Sequence, residues 1–167
     1  MNMVGIGYDV HRFAQGRPLV LGGVEIPHEL GLDGHSDADV LSHAIADAVL
    51  GAVGERDIGH HFPNTDETWR GMSSLDILAR SAALVAGKNG RVVNIDATLI
   101  AEAPKISPHV AKMRACIAGA LGIPPERVGL KATTNEGLGA IGRGEGIAAF
   151  AVASIDLPGE IPGKILG

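Results

Sequence analysis

Asp9 and His11 stand two apart in a run of apolar and β-branched residues, so in a strand the period-2 alternation turns both side chains to one face. Asp39, His43 and Asp47 recur at i, i+4 and i+8, which on a helix sets them along one slowly drifting stripe. His43 is then the natural third ligand. Two imidazoles and one carboxylate suit Zn²⁺ held by three protein groups with a fourth position open, a Lewis-acid site and not a closed structural one. Taken singly, each residue has a plainer reading: a capping Asp, an exposed strand His, a helix whose Asp47 faces water. Their combination points to a metal.

A second cluster is Lys131-Ala132-Thr133-Thr134-Asn135-Glu136. It delivers two hydroxyls and backbone N–H groups into a Gly-rich turn, which suits phosphate oxygens, and Glu136 can hold a hard cation such as Mg²⁺. By spacing alone, Asp57-Ile58-Gly59 and Phe62-Pro63-Asn64-Thr65-Asp66 read as a surface loop of turn-forming residues, and Gly142-Arg143-Gly144-Glu145-Gly146 as a turn before a strand.

These groups need elements to place them. Met3 to Arg12 reads as one strand and, after Gly16-Arg17-Pro18, Leu19 to Ile26 as a second. Ser36 with Asp39 three residues on is a helix N-terminus signature, and Val40, Ala44, Ile45, Ala48 and Val49 keep helical spacing to Gly51 or Gly54. Gly59 to Gly71 has no period and reads as a loop. Ser73 or Ser74 caps a helix with Leu75, Leu78, Ala79, Ala82 and Val85 on one face, closed by Lys88-Asn89-Gly90. Arg91 to Ala101 is a strand broken by Pro104, and Pro108 opens a helix running from Ser107 to Leu121. Val128 to Thr134 and Gly146 to Leu157 are the last strands. The order β-β-α-α-β-α-β-β, without repeat or linker, predicts a single domain of the α/β class (α+β type), with one mixed sheet and helices packed on one face. The Gly/Pro-rich residues from about 160 to 167 read as a loose tail.

Composition narrows the function classes. Fourteen Lys and Arg against nineteen Asp and Glu give a net charge of −5 with no basic block, which argues against binding nucleic acid or an anionic membrane. The longest apolar stretch, Ile147 to Ile155, is far short of the roughly 20 residues that span a bilayer. No targeting segment is legible, so the expected compartment is the cytoplasm. The single cysteine, Cys116, excludes an intrachain disulfide. With 24 glycines and few aromatics, the core must be built from Ala, Val, Ile and Leu in closely packed elements. Six of the seven histidines fall between Asp9 and Asp66, which places the chemistry there.

In this order and at these separations, the segments resemble the 2-C-methyl-D-erythritol 2,4-cyclodiphosphate synthases of the non-mevalonate isoprenoid pathway. The resemblance covers nearly the whole chain. It rests on Gly7-Tyr8-Asp9-Val10-His11-Arg12-Phe13, His35-Ser36-Asp37-Ala38-Asp39-Val40 with His43 and Asp47, Asp57-Ile58-Gly59, Phe62-Pro63 with Thr65-Asp66, Ala103-Pro104-Lys105, Lys131-Ala132-Thr133-Thr134 with Glu136, and Gly142 to Gly146. It implies a homotrimer with three active sites at subunit boundaries. The implied substrate is 4-diphosphocytidyl-2-C-methyl-D-erythritol 2-phosphate, whose 2-phosphate attacks the β-phosphorus, closes a cyclic diphosphate and expels CMP.

The resemblance also implies roles. Asp9, Val10 and His11 line the substrate site, with zinc on Asp9, His11 and His43, and Mg²⁺ or Mn²⁺ on Glu136 between the α- and β-phosphates. His35 and Ser36 approach the reacting phosphates, with His35 and Thr134 stabilising the transition state. Asp57, Ile58, Gly59, Phe62, Pro63, Asn64, Thr65 and Asp66 hold the erythritol. Ala101, Glu102, Ala103, Pro104, Lys105, Ile106 and Ser107, with Thr133 and Asn135 nearby, form the cytidine pocket of the neighbouring subunit. Arg143 lies by a central cavity on the trimer axis that can hold isoprenoid diphosphates. Two positions depart from the pattern: Asn64 replaces the Asp of many relatives, and the small Ala140 replaces an aromatic found near that axis. Two other readings stand beside the synthase: a zinc-dependent phosphoesterase that uses water at the open metal position, and a non-catalytic carrier of isoprenoid diphosphates. Intact Asp9, His11, His43 and Glu136 speak against the carrier.

Overall fold

A computed structural model of the chain describes residues 1–63 and 72–159. Strand β1 (Asn2–Ala14) turns Gly5, Gly7, Asp9 and His11 to one face and Val4, Ile6, Tyr8 and Val10 to the other, as the alternation requires. Helix α1 (Val40–Ala52) lies across the first of these faces. It comes so close that a Cβ at Gly5 would stand 2.1 Å from the Ala48 carbonyl oxygen, and one at Gly7 1.9 Å from that of Ala44. Glycine on the strand and alanine on the helix therefore set the distance between β1 and α1. Nearly every other residue of α1 is also buried, because helix α3 (Ser74–Gly87) covers its far side.

β1 pairs antiparallel with β7 (Gly146–Asp156), β7 antiparallel with β5 (Arg91–Ile100), and β5 parallel with β6 (Val128–Thr133). The two-residue β4 (Gly31–Leu32) completes a five-stranded mixed sheet in the order β4-β1-β7-β5-β6. Helices α1, α3 and α4 (Val110–Leu121) cover one face, the single-domain mixed architecture expected. The core beneath them is aliphatic, with Leu41, Ile45, Leu78, Ile95, Leu99, Met113, Ile117 and Ile155 at its centre and Phe62 the one aromatic buried among the described residues. No helix among the described residues is long and apolar enough to cross a membrane.

The opposite face carries Val4, Ile6, Tyr8, Val10, Phe150 and Val152, each 42–70% exposed. The register sets Tyr8 against Phe150 and Ile6 against Val152, so these side chains form one continuous apolar patch.

Several local expectations are corrected. Leu19 to Ile26 is not one strand but a separate hairpin, β2 (Leu19–Leu21) and β3 (Val24–Ile26), turning at Gly22 and Gly23, both in the left-handed region that glycine adopts freely. The segment expected to be a loop begins with one helical turn, α2 (Ile58–His61), and a second turn, α5 (Gly139–Gly142), precedes β7. A 3₁₀ turn over Ser107–His109 leads into α4. The cap of α1 is Asp39, not Ser36, and that of α3 is Ser73. Residues 64–71, with Asn64, Thr65 and Asp66, and the tail at 160–167 lie outside the described residues.

Candidate active site

Near the end of β1, Asp9 and His11 meet His43 on α1 beneath the helix N-terminus. Asp9 Oδ2 lies 2.9 Å from His11 Nε2 and 3.1 Å from His43 Nδ1, and the imidazole centroids are 5.5 Å apart. These are the only three His, Cys, Asp or Glu side chains among the described residues whose ligand atoms all converge in this way. Both imidazoles are anchored through their other nitrogen: His11 Nδ1 donates to the Asp33 carbonyl at 2.5 Å, and His43 Nε2 lies 3.0 Å from the Ser74 hydroxyl. Such outer partners select the tautomer that turns a lone pair toward a cation.

The electrostatics fit a cation as well. Burial pushes the Asp9 carboxyl up, but hydrogen bonds and charge from His11 and His43 outweigh it and hold the group well below the usual carboxylate range. The hydrogen bond to Asp9 raises His11 above its ordinary value against the opposing effect of burial. Asp9 thus places a fixed negative charge between the two imidazoles, where a cation would meet it.

A cavity of about 300 Å³ opens above the triad, lined by Asp9, His11, His35, Ser36, His43, Asp57, Ile58, Gly59 and Phe62, together with Gly34, Asp47, Met72 and Ile77. Asp57 caps α2 by accepting the His60 N–H at 3.0 Å, and that bond, outweighing partial desolvation, lowers its carboxyl. Asp47 accepts the Ile58 N–H at 2.8 Å and so pins the start of α2 beside the cavity; burial raises its carboxyl, aided by repulsion from Asp57 and Asp9. Asp39, the third member of the sequence stripe, is not part of the site. It is wholly buried and accepts from the Gly22 and Gly23 N–H groups and from Ser42 N and Oγ, which tie the β2–β3 turn to α1.

The second cluster gathers elsewhere. β1 and β5 run in the same direction on either side of β7, so the segment after β5 emerges at the same end of the sheet as His11. There the Ala101 N–H donates to the Thr133 carbonyl, the Asn135 N–H to Glu102 Oε1 at 2.8 Å, and the Thr134 hydroxyl to Glu136 Oε1 at 3.0 Å. Thr133, Thr134, Asn135, Glu136, Glu102, Ala103, Lys105 and Ser107 are exposed, Pro104 is half-buried, and Ile106 is buried. None of them lines the cavity over the triad. Val10 turns its side chain to the open sheet face while its N–H donates to Asp9 Oδ1 at 2.8 Å, and Arg143 pairs with Glu145 in the turn before β7.

Sequence reasoning did not place Met72 and Ile77 in the cavity wall, and it read Ser74 only as a possible cap. No periodicity marks a residue at the mouth of a loop, so only the folded chain brings Ser74 to His43.

The fold is an α/β one, a mixed sheet covered by helices, with a two-histidine, one-carboxylate cluster that could hold a metal ion at the end of its first strand, and residues 2–156 match the family model described as the YgbB family. The chain belongs to that family. It is 59% identical over 160 residues to the 2-C-methyl-D-erythritol 2,4-cyclodiphosphate synthase of Akkermansia muciniphila, covering 95% of each chain. A solved structure of 2C-methyl-D-erythritol-2,4-cyclodiphosphate synthase in a CDP-bound form superimposes with a TM-score of 0.85 at 37% identity, covering 92% of this chain and 99% of that one. The bifunctional IspDF from Campylobacter jejuni superimposes at 0.90 with 39% identity over 95% of this chain, which spans 43% of that longer one.

Proposed function

We propose that the protein converts 4-diphosphocytidyl-2-C-methyl-D-erythritol 2-phosphate into 2-C-methyl-D-erythritol 2,4-cyclodiphosphate and CMP. The observation that carries this reading is the convergence of Asp9 Oδ2, His11 Nε2 and His43 Nδ1 on the floor of a cavity shared with His35, Ser36 and Asp57, in a chain of this family. An oxygen of the 2-phosphate forms the new bond to the β-phosphorus, and the bond from that phosphorus to the bridging oxygen breaks, its electron pair leaving with CMP. The nucleophile is already ionised, so no side chain need act as a general base, and positioning of two anions is the main task.

Asp9, His11 and His43 would hold zinc and Glu136 would hold Mg²⁺ or Mn²⁺; when bound, these cations supply positive charge and Lewis acidity toward phosphate oxygens. His35 and Ser36 stand at the cavity mouth to donate hydrogen bonds to the reacting phosphates, and Thr134 does so from the second cluster. Asp57, Ile58 and Gly59, with Phe62 and Pro63, hold the erythritol end. The segment 101–107 with Thr133 reads the cytosine through backbone groups, and Lys105 meets phosphate charge.

The reading includes a homotrimer. The apolar patch of Val4, Ile6, Tyr8, Val10, Phe150 and Val152 is the kind of surface a partner covers. The exposed second cluster, absent from the cavity of its own chain, would complete the site of a neighbour.

The test is product analysis by mass spectrometry after incubation with the cytidine substrate and Mg²⁺, with metal analysis of the same preparation. The cyclic diphosphate together with CMP supports the proposal. Products carrying one added water indicate phosphoester hydrolysis instead, and absence of turnover by zinc-loaded protein refutes an enzymatic role.

A further inference from the structure

Ser74, the first residue of α3, is wholly buried, and its hydroxyl lies between two groups of the site. It donates to Asp37 Oδ1, and its oxygen stands 3.0 Å from His43 Nε2. A hydroxyl has one hydrogen. With that hydrogen given to Asp37, only the oxygen lone pairs face His43, so Nε2 carries a hydrogen toward Ser74, which leaves Nδ1, 3.1 Å from Asp9 Oδ2, as the nitrogen that would ligate a metal. Asp37 is itself fixed, accepting the Ser74 N–H on Oδ2 at 2.9 Å and the Asp39 N–H on Oδ1 at 3.3 Å. The Ser36 hydroxyl, 3.5 Å from the same Nε2, is too far to replace Ser74.

We propose that Ser74 and Asp37 are positioning residues for the metal centre: a relay running from His43 Nε2–H through the Ser74 hydroxyl to the Asp37 carboxylate fixes the histidine tautomer and ring angle. The inference rests on the metal reading of Asp9, His11 and His43. A serine and a carboxylate beyond a metal-bound histidine orient the ring and raise its basicity, and loss of such a partner costs roughly 10–100-fold in metal affinity. The relay also joins the proposed metal centre to the start of α3.

The experiment measures zinc affinity by chelator competition and the visible spectrum of the Co²⁺-substituted protein for wild type, Ser74→Ala, Ser74→Thr and Asp37→Asn. Ser74→Ala is expected to bind zinc about 10–100-fold more weakly and to alter the Co²⁺ bands. Ser74→Thr, which keeps the hydroxyl, is expected to restore both, and Asp37→Asn, which keeps an acceptor but loses the charge, to fall between. If Ser74 serves only to start α3, Ser74→Ala lowers the melting temperature of the metal-free protein and leaves zinc affinity and spectrum at wild-type values, which overturns the relay alone. Should wild type itself fail to bind one zinc per chain, the metal reading falls and the relay with it. Should Ser74→Ala not fold, Asp37→Asn against wild type decides: unchanged affinity and bands overturn the proposal.

Discussion

Gly7→Ala tests how the fold fixes the distances in the site. Gly7 precedes Asp9 by two residues on the face of β1 that α1 covers, and an added Cβ would stand 1.9 Å from the Ala44 carbonyl oxygen and 2.8 Å from the Ala48 nitrogen. Carbon and carbonyl oxygen settle at roughly 3.3–3.6 Å. Both obstructing atoms are backbone, so no side-chain rotation relieves the clash, and α1 must retreat by about 1.5 Å to reach that range. Overpacking of this kind costs about 1–3 kcal/mol. His43 adjoins Ala44, so the same retreat draws Nδ1 away from Asp9 Oδ2, at present 3.1 Å distant. Zinc needs its nitrogen and oxygen ligands at roughly 2.0–2.2 Å, and the widened triangle closes poorly around one ion. The expected result is a loss of about 1–3 kcal/mol in urea unfolding of EDTA-treated protein and a fall of at least about tenfold in zinc affinity by chelator competition. Gly5→Ala, whose Cβ would lie 2.1 Å from the Ala48 oxygen one turn farther from His43, is expected to match the instability with a smaller effect on zinc. A Gly7→Ala protein with the wild-type urea midpoint and zinc affinity would refute the argument that this contact sets the ligand spacing.

Three further outcomes follow from the structure. Tyr8→Asp and Phe150→Asp, at rings 4.6 Å apart on the open sheet face, test the proposed trimer: monomers by light scattering and loss of cyclisation are expected, whereas a mass unchanged from wild type would show that this face is not an interface. Glu136→Gln is expected to leave zinc content unchanged and to flatten the response of rate to Mn²⁺, because a neutral amide is a poor ligand for a hydrated dication; superimposable titrations would reduce Glu136 to a partner of Thr134 in its turn. The raised pKa of His11, caused first by its hydrogen bond to Asp9, makes its contribution to metal-free stability complete below the ordinary 6.5 and lost as pH rises through the raised value. Ligation needs the neutral ring, so zinc affinity rises over that same interval, and melting temperatures of EDTA-treated and zinc-loaded protein should diverge as pH rises above the ordinary 6.5; parallel curves would contradict the sign.

Asp9, His11 and His43 were legible as one cluster because two simple periods carry them: alternation puts Asp9 and His11 on one face, and helical spacing brings His43 over it. What stayed hidden has tertiary causes. Asp39 looked like a member of the same stripe, yet its oxygens are taken by the Gly22 and Gly23 N–H groups, a contact no local pattern announces. The apolar run from Leu19 to Ile26 reads as continuous because Gly22 and Gly23 permit a reversal without requiring one. Helix α2 is a single turn, too short for any period to register, although its Asp57 cap is the ordinary residue for that place. The distance between the two clusters was equally invisible, since β7, the strand that separates them, comes last in the chain order of the sheet.

That late position of β7 orders events in time. Residues 2–12 pair with residues 146–156, so the first strand waits for nearly the whole chain to be synthesised before its main partner exists. Before then β1 has only the two-residue β4 along one edge. The Asp39 contacts span just 16 to 17 residues back to Gly22 and Gly23 and close a short loop, so the contacts between the β2–β3 turn and the head of α1 need no part of β7. His43 sits on that locally closed segment, whereas Asp9 and His11 sit on the strand whose main partner is β7. All three side chains converge only once β7 has paired with β1, so an ion that needs the full set would be held only from then on.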